Sequence, residues 1–174
     1  MPIEPDLKDW TWVLERPCPE CGFAGSAVDH DGLGAMIREN ALVWTKVLGR
    51  PEVAVRRRDD RWSDLEYACH VRDVFRIYDQ RLALMRAHDD PLFANWDQDA
   101  SAVEDDYAGR DPMVVATELV MAGNRLADAF ESLGADEWSR PGRRSDGAAF
   151  TVDTFGRYFI HDPIHHLWDV GAAP

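Results

Sequence analysis

Tyr67, Val71, Val74, Phe75, Tyr78, Leu82 and Met85 recur at intervals of three and four residues. A stripe with that period can be buried along one side only if the backbone is an α-helix, because a strand would send alternate members to opposite faces. Ser63, followed three residues later by Glu66, supplies a capping box at its start. The same reading gives three further helices. One runs from Leu33 through Met36, Ile37, Leu42, Val43, Trp44, Val47 and Leu48, and ends before Gly49 and Pro51. Another opens at Asp111-Pro112, a capping side chain followed by proline at the first helical position. It continues through Val115, Leu119, Ala122, Leu126, Phe130 and Leu133 to Gly134. The last spans Thr151 to Val170. No segment alternates convincingly as a strand would, so the expected fold is all-α, a four-helix bundle with an irregular N-terminal extension.

A chain of 174 residues has room for one domain with a sizeable core. Its formal net charge of −13 would repel nucleic acid and anionic membranes, so neither is an expected partner. Arg56, Arg57 and Arg58 are followed at once by Asp59 and Asp60, which reads as a solvated loop rather than a basic patch. Glu4, Asp6, Lys8 and Asp9 interrupt the N-terminus, leaving no apolar core for a signal peptide, and no stretch has the length to span a bilayer. Three cysteines are few and odd in number, which suits a reducing, cytoplasmic setting better than a disulfide scaffold.

Residues 1–32 lack helical periodicity and contain Pro2, Pro5, Pro17, Pro19, Gly22, Gly25 and Gly32, so they read as the extension, with the bundle over 33–174. Within the extension, Cys18-Pro-Glu-Cys21-Gly22 has the form of a zinc-knuckle half-site. Cys18 and Cys21 are therefore candidates for a second site, but two more ligands are needed. The spacing does not choose between His30, Cys69, a redox pair or two plain thiols in a turn. Residues 89–111, with Trp96, Tyr107 and many acidic residues, form the longest gap between helices and read as a lid or a disordered loop. A Gly/Arg/Ser-rich connection covers Pro141 to Gly147.

On the last helix, Val152, Phe155, Phe159, Pro163, Leu167 and Val170 make an apolar stripe. His161 and His165, four residues apart, share a face nearly opposite to it with Arg157, Tyr158 and Trp168. A solvated face would carry Lys and Glu instead, so this one is expected to meet a pocket. Two imidazoles so placed can hold one metal ion if a third ligand arrives. Taken alone, the pair is equally two partly exposed histidines, and no Glu follows His161 as a metalloprotease pattern requires. His166 points toward the apolar stripe and reads as a core histidine bonded to a backbone carbonyl. Pro163 forces either a bend at the site or a new short helix beginning at Asp162-Pro163.

Trp62-Ser63 with His70 seven residues after the serine, a long helix, and His161-x-x-x-His165 near the C-terminus resemble the DinB-like superfamily. That group includes the DinB/YfiT-type proteins and the N-terminal domain of mycothiol-dependent maleylpyruvate isomerase. The resemblance covers roughly residues 33–170. It implies a four-helix bundle holding a divalent metal (zinc, nickel or iron) through one ligand on the second helix and two on the last, hence His70, His161 and His165. Several members use low-molecular-weight thiols such as mycothiol or bacillithiol, and others have no known activity. The preferred expectation is therefore a metal-dependent transferase or isomerase joining a thiol to a small electrophile. The alternatives are a non-catalytic metal-binding or stress-linked interaction protein and a metal-assisted hydrolase. Arg157 would then anchor a substrate carboxylate or simply face water, with Tyr158 and Trp168 as pocket walls. Asp169 would orient an imidazole or simply face water, and no carboxylate stands out as a base apart from Glu66, one turn before His70, which the helix cap also claims. A homodimer is compatible with the family, although no exposed apolar patch argues for one.

Overall fold

The computed structural model describes residues 9–173; the first eight residues of the extension, with Pro2 and Pro5, and the terminal Pro174 lie outside them. In chain order the helices are α1 (Leu33–Leu48), α2 (Asp64–Ala87), the short α3 (Gln98–Glu104) and α4 (Pro112–Glu131). An antiparallel ribbon follows, β1 (Pro141–Arg143) with β2 (Ala149–Thr151), and then α5 (Val152–Phe159) and α6 (His161–Asp169). The bundle consists of α1, α2, α4 and the broken last helix α5–α6. Its core is aromatic and aliphatic: Trp44, Phe75, Leu82, Leu119, Phe130, Phe155 and Phe159 are all buried.

The local signals act as chemistry demands. Ser63 Oγ accepts from the Glu66 amide while the Ser63 amide donates to Glu66 Oε2, and Asp111 Oδ1 accepts from the amides of Met113 and Val114. The last helix is where the two outcomes expected of Pro163 are decided. Phe159 ends α5, Ile160 forms the joint, and α6 starts at His161. Pro163 then falls in the first turn of α6, where a missing N–H costs no intrahelical bond.

The extension is not loose on the surface. Three short 3₁₀ turns (Trp10–Leu14, Gly25–Ala27 and His30–Gly32) fold it over the last helix, and Val13, Cys18, Phe23 and Val28 join the common core. Residues 89–111, expected to be a lid or disordered, are instead built into the fold. They contain α3 and a turn at Tyr107–Gly109, with Phe93 and Tyr107 buried. Arg72 of α2, only 2% exposed, holds this segment by bonding to Asp73, Asp105 and Glu118. Strand β1 lies within the expected Gly/Arg/Ser-rich connection and β2 just after it, ending on Thr151, because the turn at Asp146-Gly147 lets the chain pair with itself: Gly147 takes φ +96°. Among the described residues no helix is long and apolar enough to cross a membrane.

Candidate metal centre

Helix α6 carries four donors in one turn and a half: His161, Asp162, His165 and His166. They form two pairs at i, i+4, His161 with His165 and Asp162 with His166. A one-residue offset turns the second pair by ~100° around the helix, so the pairs face different neighbours.

Asp162 and His166 face α2, and there they meet His70. Its Nε2 lies 3.3 and 3.4 Å from the two Asp162 oxygens, and His166 Nε2 lies 3.7 Å from Asp162 Oδ1. Two donors each about 2.1 Å from a shared ion at a tetrahedral angle would sit about 3.4 Å apart, so these separations fit a common first-row ion. His166 Nδ1 is 2.9 Å from Asp169 Oδ2, which fixes the ring and turns Nε2 inward. His70 is 1% exposed and lies parallel to the Trp96 ring at 5.4 Å. Burial opposes ionisation of Asp162, yet the imidazoles of His70 and His166 outweigh it and hold the carboxyl well below the usual range.

His161 and His165 face the extension instead. With Cys18 and Cys21 they form a second group whose ligand atoms all lie within 4.8 Å of one another. Burial pushes the His161 imidazole down to about 4, lowers that of His165 as well, and raises the Cys21 thiol to about 11. These are the responses of a site that resists isolated charge.

The triad expected from the sequence, His70 with His161 and His165, is thus not the one the described residues assemble. His70 is grouped with Asp162 and His166, and the other two histidines with the cysteines. The reason is the offset between the pairs: α2 and the extension approach α6 from different sides. His166, read as a core histidine bonded to a carbonyl, is half-buried and bonded to a carboxylate. Asp162 enters the sequence reading only as a possible helix start and not as a donor, although its i, i+4 relation to His166 is as visible as that of His161 to His165.

The remaining candidates divide as follows. Tyr158 lines the cavity in front of both groups and accepts a hydrogen bond from Arg144. Arg157 is turned away and pairs with Asp153 within α5. Trp168 is half-exposed, its ring 5.5 Å from that of His165. Glu66 is occupied by its own helix cap and by Arg56, so it is no free base. His30 pairs with Asp153 and stacks on Trp138, and Cys69 is buried near the Tyr107 carbonyl; neither completes the cysteine site. The cavity measures about 550 Å³ and is also walled by Trp10, Arg61, Tyr67, Trp96 and Asp99, so the 89–111 segment supplies one side of it.

A helical bundle that turns buried imidazole and carboxylate donors toward an open cavity defines a class of metal-competent bundle proteins. The DinB superfamily profile matches residues 35–170, and the chain belongs to that superfamily. Among solved structures it is similar to YfiT from Bacillus subtilis, described as a probable metal-dependent hydrolase with an unusual four-helix bundle topology. The TM-score is 0.73 at 17% identity, covering 82% of this chain and 85% of that one, a likeness of fold. No curated protein in the comparison matches the chain.

Proposed function

We propose that this chain is a metal-dependent enzyme whose divalent ion is held by His70, Asp162 and His166, and that it acts on a small electrophilic substrate in the adjoining cavity. The observation that carries the reading is the convergence of two imidazole nitrogens on one carboxylate, at separations a shared ion would set. Bound there, such an ion would supply Lewis acidity and lower the proton affinity of a water or thiol nucleophile. The chain's own residues do the rest. Asp169 orients His166, Trp96 holds the His70 ring, and the aromatic walls exclude bulk water from one side of the cavity.

Hydrolysis is the reaction class best supported. Asp99 lines the same cavity, and its carboxyl is raised above the usual range, chiefly by burial and then by Asp97. A carboxyl that holds protons more tightly than usual suits a general base, and the likeness to YfiT points the same way. Thiol transfer, the expectation drawn from the resemblance, is the second reading. A cavity of about 550 Å³ has space for a thiol cosubstrate beside an acceptor, which water does not need.

The test begins with metal titration of the wild type, Asp162→Ala and His70→Ala, each of which should lose one bound equivalent. Ester, amide and thiol-plus-electrophile substrates are then compared on the metal-loaded protein. Turnover without added thiol supports hydrolysis, and an absolute thiol requirement replaces it with transfer. Asp99→Asn should lower hydrolysis by about 100-fold or more with metal content unchanged. Full metal content in both ligand variants would overturn the site.

A further inference from the structure

Cys18 and Cys21 lie outside the residues matched to the superfamily, yet they converge on two histidines inside them. We propose that Cys18, Cys21, His161 and His165 form a closed Cys₂His₂ site for a zinc ion that clamps the extension to α6. This does not depend on the reading of the His70 group.

The geometry is that of a zinc knuckle. The Gly22 amide donates to the Cys18 carbonyl at 2.9 Å, the Cys18 amide donates to the Phe23 carbonyl at 2.7 Å, and Gly22 takes φ +75° to close the turn. A glycine is needed there because side chains disfavour that conformation. Cys18 Sγ lies 3.7 Å from His165 Nδ1. Zinc–sulfur and zinc–nitrogen bonds of about 2.3 and 2.05 Å at a tetrahedral angle predict about 3.6 Å. The other nitrogen of His165 is 3.2 Å from Glu20 Oε2, a carboxylate supplied by the same turn. It would hold the ring in the tautomer that leaves Nδ1 for the metal.

A second observation points to a ligand. His161 is 4% exposed, and its Nε2 is buried with no hydrogen-bond partner among the described residues. An imidazole nitrogen is not left so without cost, and a metal bond would satisfy it. Trp10 and Phe23 flank its ring at 5.2 and 5.3 Å and close the site from the side. Four protein ligands fill a tetrahedral shell and make a structural site even though His161 and His165 also border the cavity, whereas His70, Asp162 and His166 supply three ligands and leave a position open. Because Trp10 and Glu20 line that cavity, the clamp would also set one of its walls.

Cobalt(II) substitution of the full chain tests this. Thiolate–cobalt bonds give an intense charge-transfer absorption in the near ultraviolet, which a site of imidazole and carboxylate does not. The expected result is that band in the wild type and in His70→Ala, its loss in Cys18→Ser/Cys21→Ser, and one fewer zinc equivalent in that double variant. If the double variant fails to fold, the wild-type spectrum decides alone. Absence of the band, or recovery of a Cys18–Cys21 disulfide from protein purified under reducing conditions, would overturn the proposal. Loss of the second equivalent in His70→Ala with the band retained separates the two sites.

Discussion

Asp169 lies between two imidazoles that belong to different groups, 2.9 Å from His166 Nδ1 and 3.9 Å from His165 Nε2, with Arg61 on its other oxygen. It is 10% exposed at the side chain, and its closer partner is a proposed ligand. A carboxylate in that position fixes the ring and raises its basicity, so removing the charge weakens the metal rather than abolishing it. Asp169→Asn should therefore lower affinity at the His70 group about 10- to 100-fold, read by competition with a chromophoric chelator. Unchanged affinity would mean that His166 is held by packing alone. At this scale the sequence offers candidate donors, and the structure groups them differently from the expected triad. His70, His161, His165, Cys18 and Cys21 all sit in metal-competent groups, but which ones share a group depends on tenths of a helical turn.

The element that matters most is the broken last helix. The joint at Ile160 lets α5 and α6 each press an apolar face into the bundle while α6 turns its donors outward on two sides. Close approach is needed for this. At Gly156 a Cβ would lie 2.5 Å from Leu33 Cδ1 and 3.1 Å from Phe130 Cε1, so α5 sits against α1 and α4 with no space for a methyl group. Gly156→Ala should destabilise the protein by about 1–3 kcal/mol through overpacking, seen as a lowered thermal midpoint with helix content retained. An unchanged midpoint would show that Leu33 can rotate away freely. Helix boundaries are legible at this scale because capping residues and proline act locally: Ser63 and Asp111 each precede a helix as expected, and Thr151, read as the first residue of the last helix, is its cap. The ribbon was not legible, since its two strands are three residues long and show no period.

Across the whole molecule, Arg72 joins pieces far apart in the chain. Its guanidinium bonds Asp73 on its own helix, Asp105 beyond α3 and Glu118 on α4, and Tyr107 donates to Asp73 at 2.6 Å. Arg72→Ala would leave these carboxylates facing one another in a half-buried pocket, at a cost on the order of 3 kcal/mol. It should also loosen the segment that forms one side of the cavity, which limited proteolysis between residues 89 and 111 would report. Burial opposes ionisation of Asp73, but Arg72 and Tyr107 outweigh it and hold its carboxyl below the ordinary value. The folded protein thus binds that proton more weakly than the unfolded chain does. Its contribution is complete above the unfolded value of about 3.9 and drains away as pH falls through the lower folded one. Wild-type stability should fall on acidification through that window, and Arg72→Ala should show a flatter acid limb in urea titrations at stepped pH. Equal slopes would remove Asp73 from the account.

By itself the sequence determined what depends on neighbours along the chain: four amphipathic helices, their caps, the proline break, the cysteine turn and the choice of residue types able to bind a metal. Period and capping are local properties, so they can be read without knowing the fold. Tertiary structure alone decided which donors meet. His70 reaches Asp162 and His166 because α2 packs on that side of α6, and Cys18 and Cys21 reach His161 and His165 because the extension folds over the other. The rotation separating those sides is one residue of helix, about 100°, and only the packing of distant segments fixes which side each of them covers.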